Sequence, residues 1–453
     1  MTTSADDPEV RKRRGAALRD VIPLETHARV DMVDRPDPIG QLTDQDATRL
    51  QQLVPIRHQR MSLTTFTFFR GAAAIMASDL SRIPATGLRV QLCGDAHLSN
   101  FGVFHSPDRR LVFDVNDFDE TLPGPFEWDL KRLAASVTIA GRNNELSGKQ
   151  IRSATRAAVR SYRKLLEQTV ALSPLDVHYH RIEVESLLAD DEQLSKRSRK
   201  ALAKATSKDS VRALDKLTEV VDGRRRIVPN PPLVVRVDDH LDGEDGQYLI
   251  DFFMSYRSSL APHRQAVLDR YRVVDMAHKV VGVGSVGTRC LIVLLESDNG
   301  SPLFLQFKEA TKSVLEPFAE PSEFDQSGER VVRGQRLMQA TGDIFLGWSR
   351  RRRPEGAAVD FYFRQLWDGK GSADVDRMGP KRLKNYAKHC GFTLALAHAR
   401  TGDAAAISGY LGDDPTIDHV LSDFADSYAD LAERDHAAHL RAIDDGRIAV
   451  AEG

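Results

Sequence analysis

A chain of 453 residues is longer than one ordinary hydrophobic core can organise, so two or three structural units are expected. With 41% hydrophobic and 28% charged residues and a formal net charge of −2, it reads as soluble and globular, and the charge argues against a nucleic-acid binder held by bulk electrostatics. Cys93, Cys290 and Cys390 are odd in number and far apart, which argues against a disulfide framework and for a reducing compartment. With no apolar leader and no run of about 18 apolar residues, a cytoplasmic protein without a membrane partner is expected.

Residues 1–59 read as an N-terminal arm, charged at first and then Pro-rich (Pro23, Pro36, Pro38, Pro55), with a short helix near 43–53. Phe66 to Met76 follow, aromatic and then Ala-rich. Arg70 is placed there to reach a phosphate or a carboxylate. An alternating strand (Leu88, Val90, Leu92) runs into a Gly94-Asp95 corner, with Asn100 five residues after Asp95. A turn at Ser106-Pro107-Asp108 returns the chain through Leu111 to Phe113 into an acidic cluster of Asp114, Asp117 and Asp119. The product is a hairpin with an Asp and an Asn at its entry and carboxylates at its exit. Trp128, Leu130, Leu133 and Val137 then recur at helical spacing, as do Ile151, Ala158, Tyr162 and Leu165. Local basic runs such as Lys196 to Lys200 read as solvated faces.

Ile227 to Leu233, rich in Pro, reads as a rigid extended linker within a connection of 226–269. Beyond it Val280-Val281 lead into Gly282-Val283-Gly284-Ser285-Val286-Gly287. The β-type run Cys290 to Leu295 follows, then a turn at Asp298-Asn299-Gly300 and a strand ending at Lys308. Gln326 to Ala340 is helical in pattern, and Phe361 to Trp367 reads as a buried strand. Amphipathic helices close the chain, with His398 as a packed or capping side chain.

Phosphoryl transfer needs this inventory: a carboxylate to orient or deprotonate a hydroxyl, and an Asn and an Asp to hold Mg²⁺ against nucleotide phosphates. Hard oxygen ligands suit Mg²⁺. Strand, Gly-rich turn, strand and a Lys closing the next strand form a nucleotide-binding arrangement, in which amides cover the phosphates and the Lys pairs with them.

Gly-Asp-x-His-x-x-Asn (Gly94 to Asn100), the hairpin and the acidic cluster resemble the protein-kinase-like superfamily, most closely its aminoglycoside and choline kinase branch, although Cys93 stands where that branch has His. The resemblance implies Asp95 as the catalytic base, with His97 and Arg70 in the catalytic set, and Asn100, Asp117 and Asp119 as the metal set. Asp117 is preferred because Trp128-Asp129-Leu130 follows at about that branch's distance, and Asp129 would brace the catalytic loop. It further implies Gly282, Gly284, Ser285 and Gly287 over the phosphates and Lys308 as their clamp. Glu329, in preference to Glu323, would be the carboxylate that meets Lys308, and the backbone of Gln365 to Trp367 would meet an adenine.

The sequence also resembles a family of uncharacterised bacterial proteins marked by Phe-x-Arg-Gly (Phe68 to Gly71), Gly-Asp-x-His-x-x-Asn-Phe-Gly (Gly94 to Gly102), Asn-Asp-Phe-Asp (Asn116 to Asp119) and Arg-Gln-Leu (Arg364 to Leu366). It names no substrate.

The expected fold class is α+β: a two-lobed protein-kinase-like fold, circularly permuted because Asp95 and Asp117 precede Gly282 and Lys308. The helical catalytic lobe would comprise 60–225 and 368–453, and the β-rich nucleotide lobe 270–367. An ATP- and Mg²⁺-dependent phosphotransferase acting on a small-molecule or protein hydroxyl is the expected function. Nucleotidyl transfer, a nucleotide-binding pseudokinase and, from another class, a metallophosphohydrolase are the alternatives. The sequence leaves the acceptor and the oligomeric state open.

Overall fold

The computed structural model describes residues 7–185, 214, 217–237, 244–280, 286–351, 358–366 and 371–451. The architecture is mixed α/β, with one half helical and the other built on a six-stranded sheet. Among the described residues, no helix is long and apolar enough to cross a membrane.

The helical half begins in the N-terminal arm. Helix α1 (Pro38–Asp46) starts where its sequence dictates, with Pro38 in the first turn and the Asp37 carboxylate accepting from the amides of Ile39 and Gly40. Short helices α2 (Val54–Ser62), α3 (Thr65–Arg70) and α4 (Ala73–Ser81) follow. Strand β1 (Arg89–Leu92) pairs with β4 (Leu122–Pro125), and between them β2 (Phe101–His105) pairs with β3 (Leu111–Val115). Two long helices, α5 (Phe126–Asn143) and α6 (Gly148–Thr169), complete the first stretch. Ser147 and Gln150 form a reciprocal cap at the start of α6.

The sheet runs β11 (Gly347–Arg351), β12 (Val359–Gln365), β10 (Pro302–Ala310), β9 (Cys290–Ser297), β8 (Tyr271–Lys279), β7 (Val234–Arg236), antiparallel throughout. Alternation sorts its side chains. Leu291, Val293, Leu303, Leu305 and Phe307 turn to one face, where Phe252 and Tyr256 of α7 (Glu244–Ser258) cover them, Tyr256 stacking on Phe363 at 3.8 Å between centroids. Ile292, Leu294 and Phe304 turn to the other, beneath Ile227 of a hairpin formed by β5 (Thr218–Val221) and β6 (Arg224–Ile227). The described residues of 226–269 are therefore not a linker. They end a hairpin, add an edge strand and pack a helix on the sheet, because Ile227, Val234, Phe252 and Tyr256 have apolar surface to bury.

Helix α8 (Ser327–Met338) lies between the halves. Its Val331, Val332 and Met338 join the main core, which also gathers residues of α5 and α6 and of two C-terminal helices, α9 (Pro380–Ala399) and α10 (Thr416–Asp444). The helical half is thus discontinuous in sequence, with the sheet between its two parts.

Candidate functional site

Gly94 turns the chain with φ +82°, and a Cβ there would meet the carbonyl oxygen of Glu120 at 2.2 Å, so the corner requires glycine. Asp129, in the first turn of α5, accepts from the amides of Cys93 at 2.8 Å and Gly94 at 3.1 Å, fixing the turn from behind. His398 on α9 lies 3.3 Å from Asp129 Oδ2 and 2.8 Å from the Tyr162 hydroxyl, which makes it a buried bracing side chain.

Held this way, Asp95 lines a cavity of about 120 Å³ between the two halves. Arg132 Nε donates to Asp95 Oδ1 at 2.5 Å, while burial pushes the Asp95 carboxyl above its ordinary value against the pull of Arg132 and Arg70. His97 Nδ1 accepts from the Ser99 amide at 3.2 Å, so its proton sits on Nε2, 3.5 Å from Asp95 Oδ2. Burial, with Arg70 and Arg132 nearby, holds His97 well below the usual histidine range and hence neutral. Asn100 Nδ2 donates to the Asp95 carbonyl at 2.9 Å, which leaves Oδ1 as the atom through which Asn100 can hold a ligand. Arg70 lines the same cavity with Nε buried and without a hydrogen-bond partner among the described residues.

From β10, in the other half, Lys308 meets two of the carboxylates that line this cavity. Its Nζ is 2.5 Å from Asp119 Oδ2 and 3.9 Å from Asp117 Oδ1. The Tyr362 hydroxyl donates to Asp119 Oδ1 at 2.6 Å. Burial opposes charge on Lys308 and Asp119, yet attraction wins: Asp117 and Asp119 hold the ammonium above its ordinary pKa, and Lys308 holds the Asp119 carboxyl below. Both oxygens of Asp119 are engaged in this structure, where it is the counter-ion of Lys308. Asp117 lines the cavity with Asn100, whereas Asp114 lies buried in β3, pushed up to about 6 by burial against the charge of Arg400.

Two further expectations are corrected. Glu329 does not meet Lys308; it pairs with Arg333 one turn along α8 at 3.1 Å, and the residue that α8 turns inward is Arg330, whose guanidinium donates to the carbonyls of Thr121, Asp119 and Thr311. The Gln365 amide donates to the Asp343 carboxylate and the Leu366 amide to the Phe304 carbonyl, so neither is available to an adenine. Gly282, Gly284, Ser285 and Trp367 lie outside the described residues. Gly287 is described, with φ +94°.

Residues 49 and 50 of the arm dock on that last glycine of the turn. The Leu50 amide donates to the Gly287 carbonyl at 2.8 Å, Arg49 Nη1 donates to the Val286 carbonyl at 2.6 Å, and Arg49 also lines the cavity. Sequence reading missed Arg49, Arg132, Tyr362 and Glu120. Only Arg132 had a local signal, three residues after Asp129 on one helical face.

A family model described as "Uncharacterized protein conserved in bacteria (DUF2252)" matches residues 49–442. The chain belongs to this family. No curated protein and no solved structure matches it. The matched span of this DUF2252 chain opens at Arg49, the arm residue that touches the Gly-rich turn, and takes in every cavity-lining residue named above. Among its described residues, no group of three His, Cys, Asp or Glu side chains is gathered to hold a metal ion. Asn100 and Asp117 fit a different mode, in which Mg²⁺ takes one or two protein oxygens and completes its shell with phosphate oxygens and water.

Proposed function

We propose that the protein is an ATP- and Mg²⁺-dependent phosphotransferase of permuted kinase-like fold, acting on a hydroxyl. One observation carries this: Lys308, from the second strand after the Gly-rich turn, pairs with Asp119 and lies 3.9 Å from Asp117, two carboxylates that line one cavity with Asp95 and Asn100 although they are more than a hundred residues away in sequence. In the reaction, the acceptor hydroxyl loses its proton to Asp95 as its oxygen bonds to the γ-phosphorus and the bond to the β–γ bridging oxygen breaks. Burial makes Asp95 a stronger base than a surface aspartate, and Arg132 sets its direction. Lys308 exchanges Asp119 for phosphate oxygens, and Arg70 and Arg49 offer further guanidinium donors to them. Asn100 Oδ1 and Asp117 would hold Mg²⁺, which when bound neutralises phosphate charge.

A cavity of about 120 Å³ takes a phosphate group and little more, so a whole nucleotide needs the space released when the Lys308–Asp119 contact parts. Adenine recognition through Gln365 is not part of the proposal. The metallophosphohydrolase alternative, which needs several His and carboxylate ligands around two ions, finds no such set among the described residues.

Calorimetric titration with a non-hydrolysable ATP analogue, with and without Mg²⁺, tests the reading, followed by mass spectrometry of candidate acceptors for an added phosphate. Asp117→Ala should remove the Mg²⁺-dependent part of binding and Lys308→Met should weaken affinity tenfold or more. Unchanged titrations in both variants would overturn it, and an added AMP would replace phosphoryl with nucleotidyl transfer.

A further inference from the structure

A second cavity, about 680 Å³, lies on the helical half between α6 and α9. Along α6 its wall carries Lys149, Arg152, Arg156, Arg160 and Lys164. Spaced three or four residues apart, they share one helical face and form a row about 22 Å long at about 1.5 Å per residue. Lys384 and Lys388, one turn apart, face the same cavity from α9. Among the described residues, no Asp or Glu lines it.

Little of this charge is compensated. Arg160 Nε lies 3.0 Å from Asp418, which also serves Arg163, and Arg152 is 3.9 Å from Asp426. Lys149, Arg156, Lys164, Lys384 and Lys388 make no ion pair among the described residues, and Arg156 Nε is buried without a hydrogen-bond partner. Like charges at i,i+4 each cost a few tenths of a kcal/mol. A solvated helix face ordinarily intersperses both signs, so the row calls for an anion along its length.

The shape of the groove narrows the choice. An acidic helix about 10 Å across has no room between α6 and α9, which pack so closely that a Cβ on Gly391 would meet the Ala158 carbonyl oxygen at 2.1 Å. An extended acidic peptide turns alternate carboxylates away from any one wall. Single-stranded nucleic acid is held by successive aromatic stacking platforms, and Phe392 is the one aromatic ring lining this cavity among the described residues. A bare phosphate chain carries charge on all sides, so it meets both cationic walls at once, and arginine forks suit its oxygens. We propose that the groove between α6 and α9 binds a linear polyphosphate chain. This does not depend on the catalytic reading of the cleft.

Fluorescence anisotropy with end-labelled polyphosphate on the full-length protein tests it, with oligo-dT and polyglutamate of matched charge as competitors. Polyphosphate should bind, neither competitor should displace it at equal charge, and Arg156→Glu with Lys388→Glu should weaken binding at least tenfold. Lys164→Gln with Lys384→Gln should weaken it several-fold, which keeps the test open if the reversal disturbs folding. Lys308→Met should bind as tightly as wild type. Absence of binding at low salt, equal or tighter binding of oligo-dT or polyglutamate, indifference to the groove substitutions, or loss in Lys308→Met would each overturn the proposal.

Discussion

The cleft between the two halves and the α6–α9 groove hold their cations under opposite rules. In the cleft, Lys308 and Arg132 each face a carboxylate at 2.5 Å, because a charge taken out of water must be paired or neutralised. In the groove, Lys149, Lys384 and Lys388 are exposed, water carries the cost of their charge, and no partner is required. The difference separates two modes of recognition. A ligand of the cleft must displace existing pairs and replace them, which gives specificity. A ligand of the groove need only neutralise open charge, which gives affinity that salt screens.

The sharpest way to break this comparison is at Asp95. Under the proposed function Asp95→Asn should keep nucleotide affinity within a few-fold, because a base acts mainly in the transition state, and lower turnover by about a thousandfold or more once an acceptor is found. Turnover equal to wild type in a phosphoryl-transfer assay would remove the cleft from the chemistry.

Asp114, just behind the cleft, shows the burial rule without a tight partner. Its pKa is raised to about 6 from an ordinary 3.8, so the stability linked to its neutral form is present in full below the lower value and is lost as pH rises through the higher. The stability difference between wild type and Asp114→Asn, read from urea melts, should move by about 3 kcal/mol in favour of the variant between about pH 3 and about pH 8. A difference that stays flat with pH would contradict it.

Salt separates the two sites directly. From about 50 to about 200 mM, polyphosphate affinity in the groove should fall by about a hundredfold, while nucleotide affinity in the cleft should fall much less. Parallel losses would erase the distinction. Lys308→Met leaves Asp119 without its cation but still bonded to Tyr362 and about a quarter exposed, so a loss of about 2 kcal/mol in thermal or urea unfolding is expected, below the cost for a fully buried partner. Adding Asp119→Asn should restore part of it. The smallest effect is expected at Gly287, where alanine would adopt φ +94° with its Cβ 2.9 Å from that of Arg49. Gly287→Ala should cost about 1 to 2 kcal/mol, and an unchanged melting temperature would mean that the arm does not hold the turn.

The sequence was readable where chemistry and geometry are both local. The Gly94-Asp95 corner, Asn100 and the bracing Asp129 fall within one short stretch whose turn residues dictate its path. Glu329 was misjudged because adjacent residues on a helix point in different directions, and the spacing that fixes phase is set by what α8 packs on. Arg330 turned inward since three backbone carbonyls were there to receive it. The linker expected at 226–269 was misread because proline was weighed more heavily than the alternation Val234, Val235, Arg236, Val237, which forms the sheet edge. Asp119 as the partner of Lys308, 189 positions away, and Arg49 against the Gly-rich turn depend on tertiary folding alone.

That last contact bears on timing. Arg49 and Leu50 belong to a segment anchored in the helical half by the buried Arg57–Asp46 pair at 2.8 Å and by the Asp46–His58–His439 chain, yet their hydrogen bonds end on the rim of the sheet half. Separation of the halves therefore has to peel this strap from the turn. If the proposed nucleotide leaves by that separation, its release rate measured by stopped flow should rise when Arg49 is shortened to alanine even where the bond-making step is untouched.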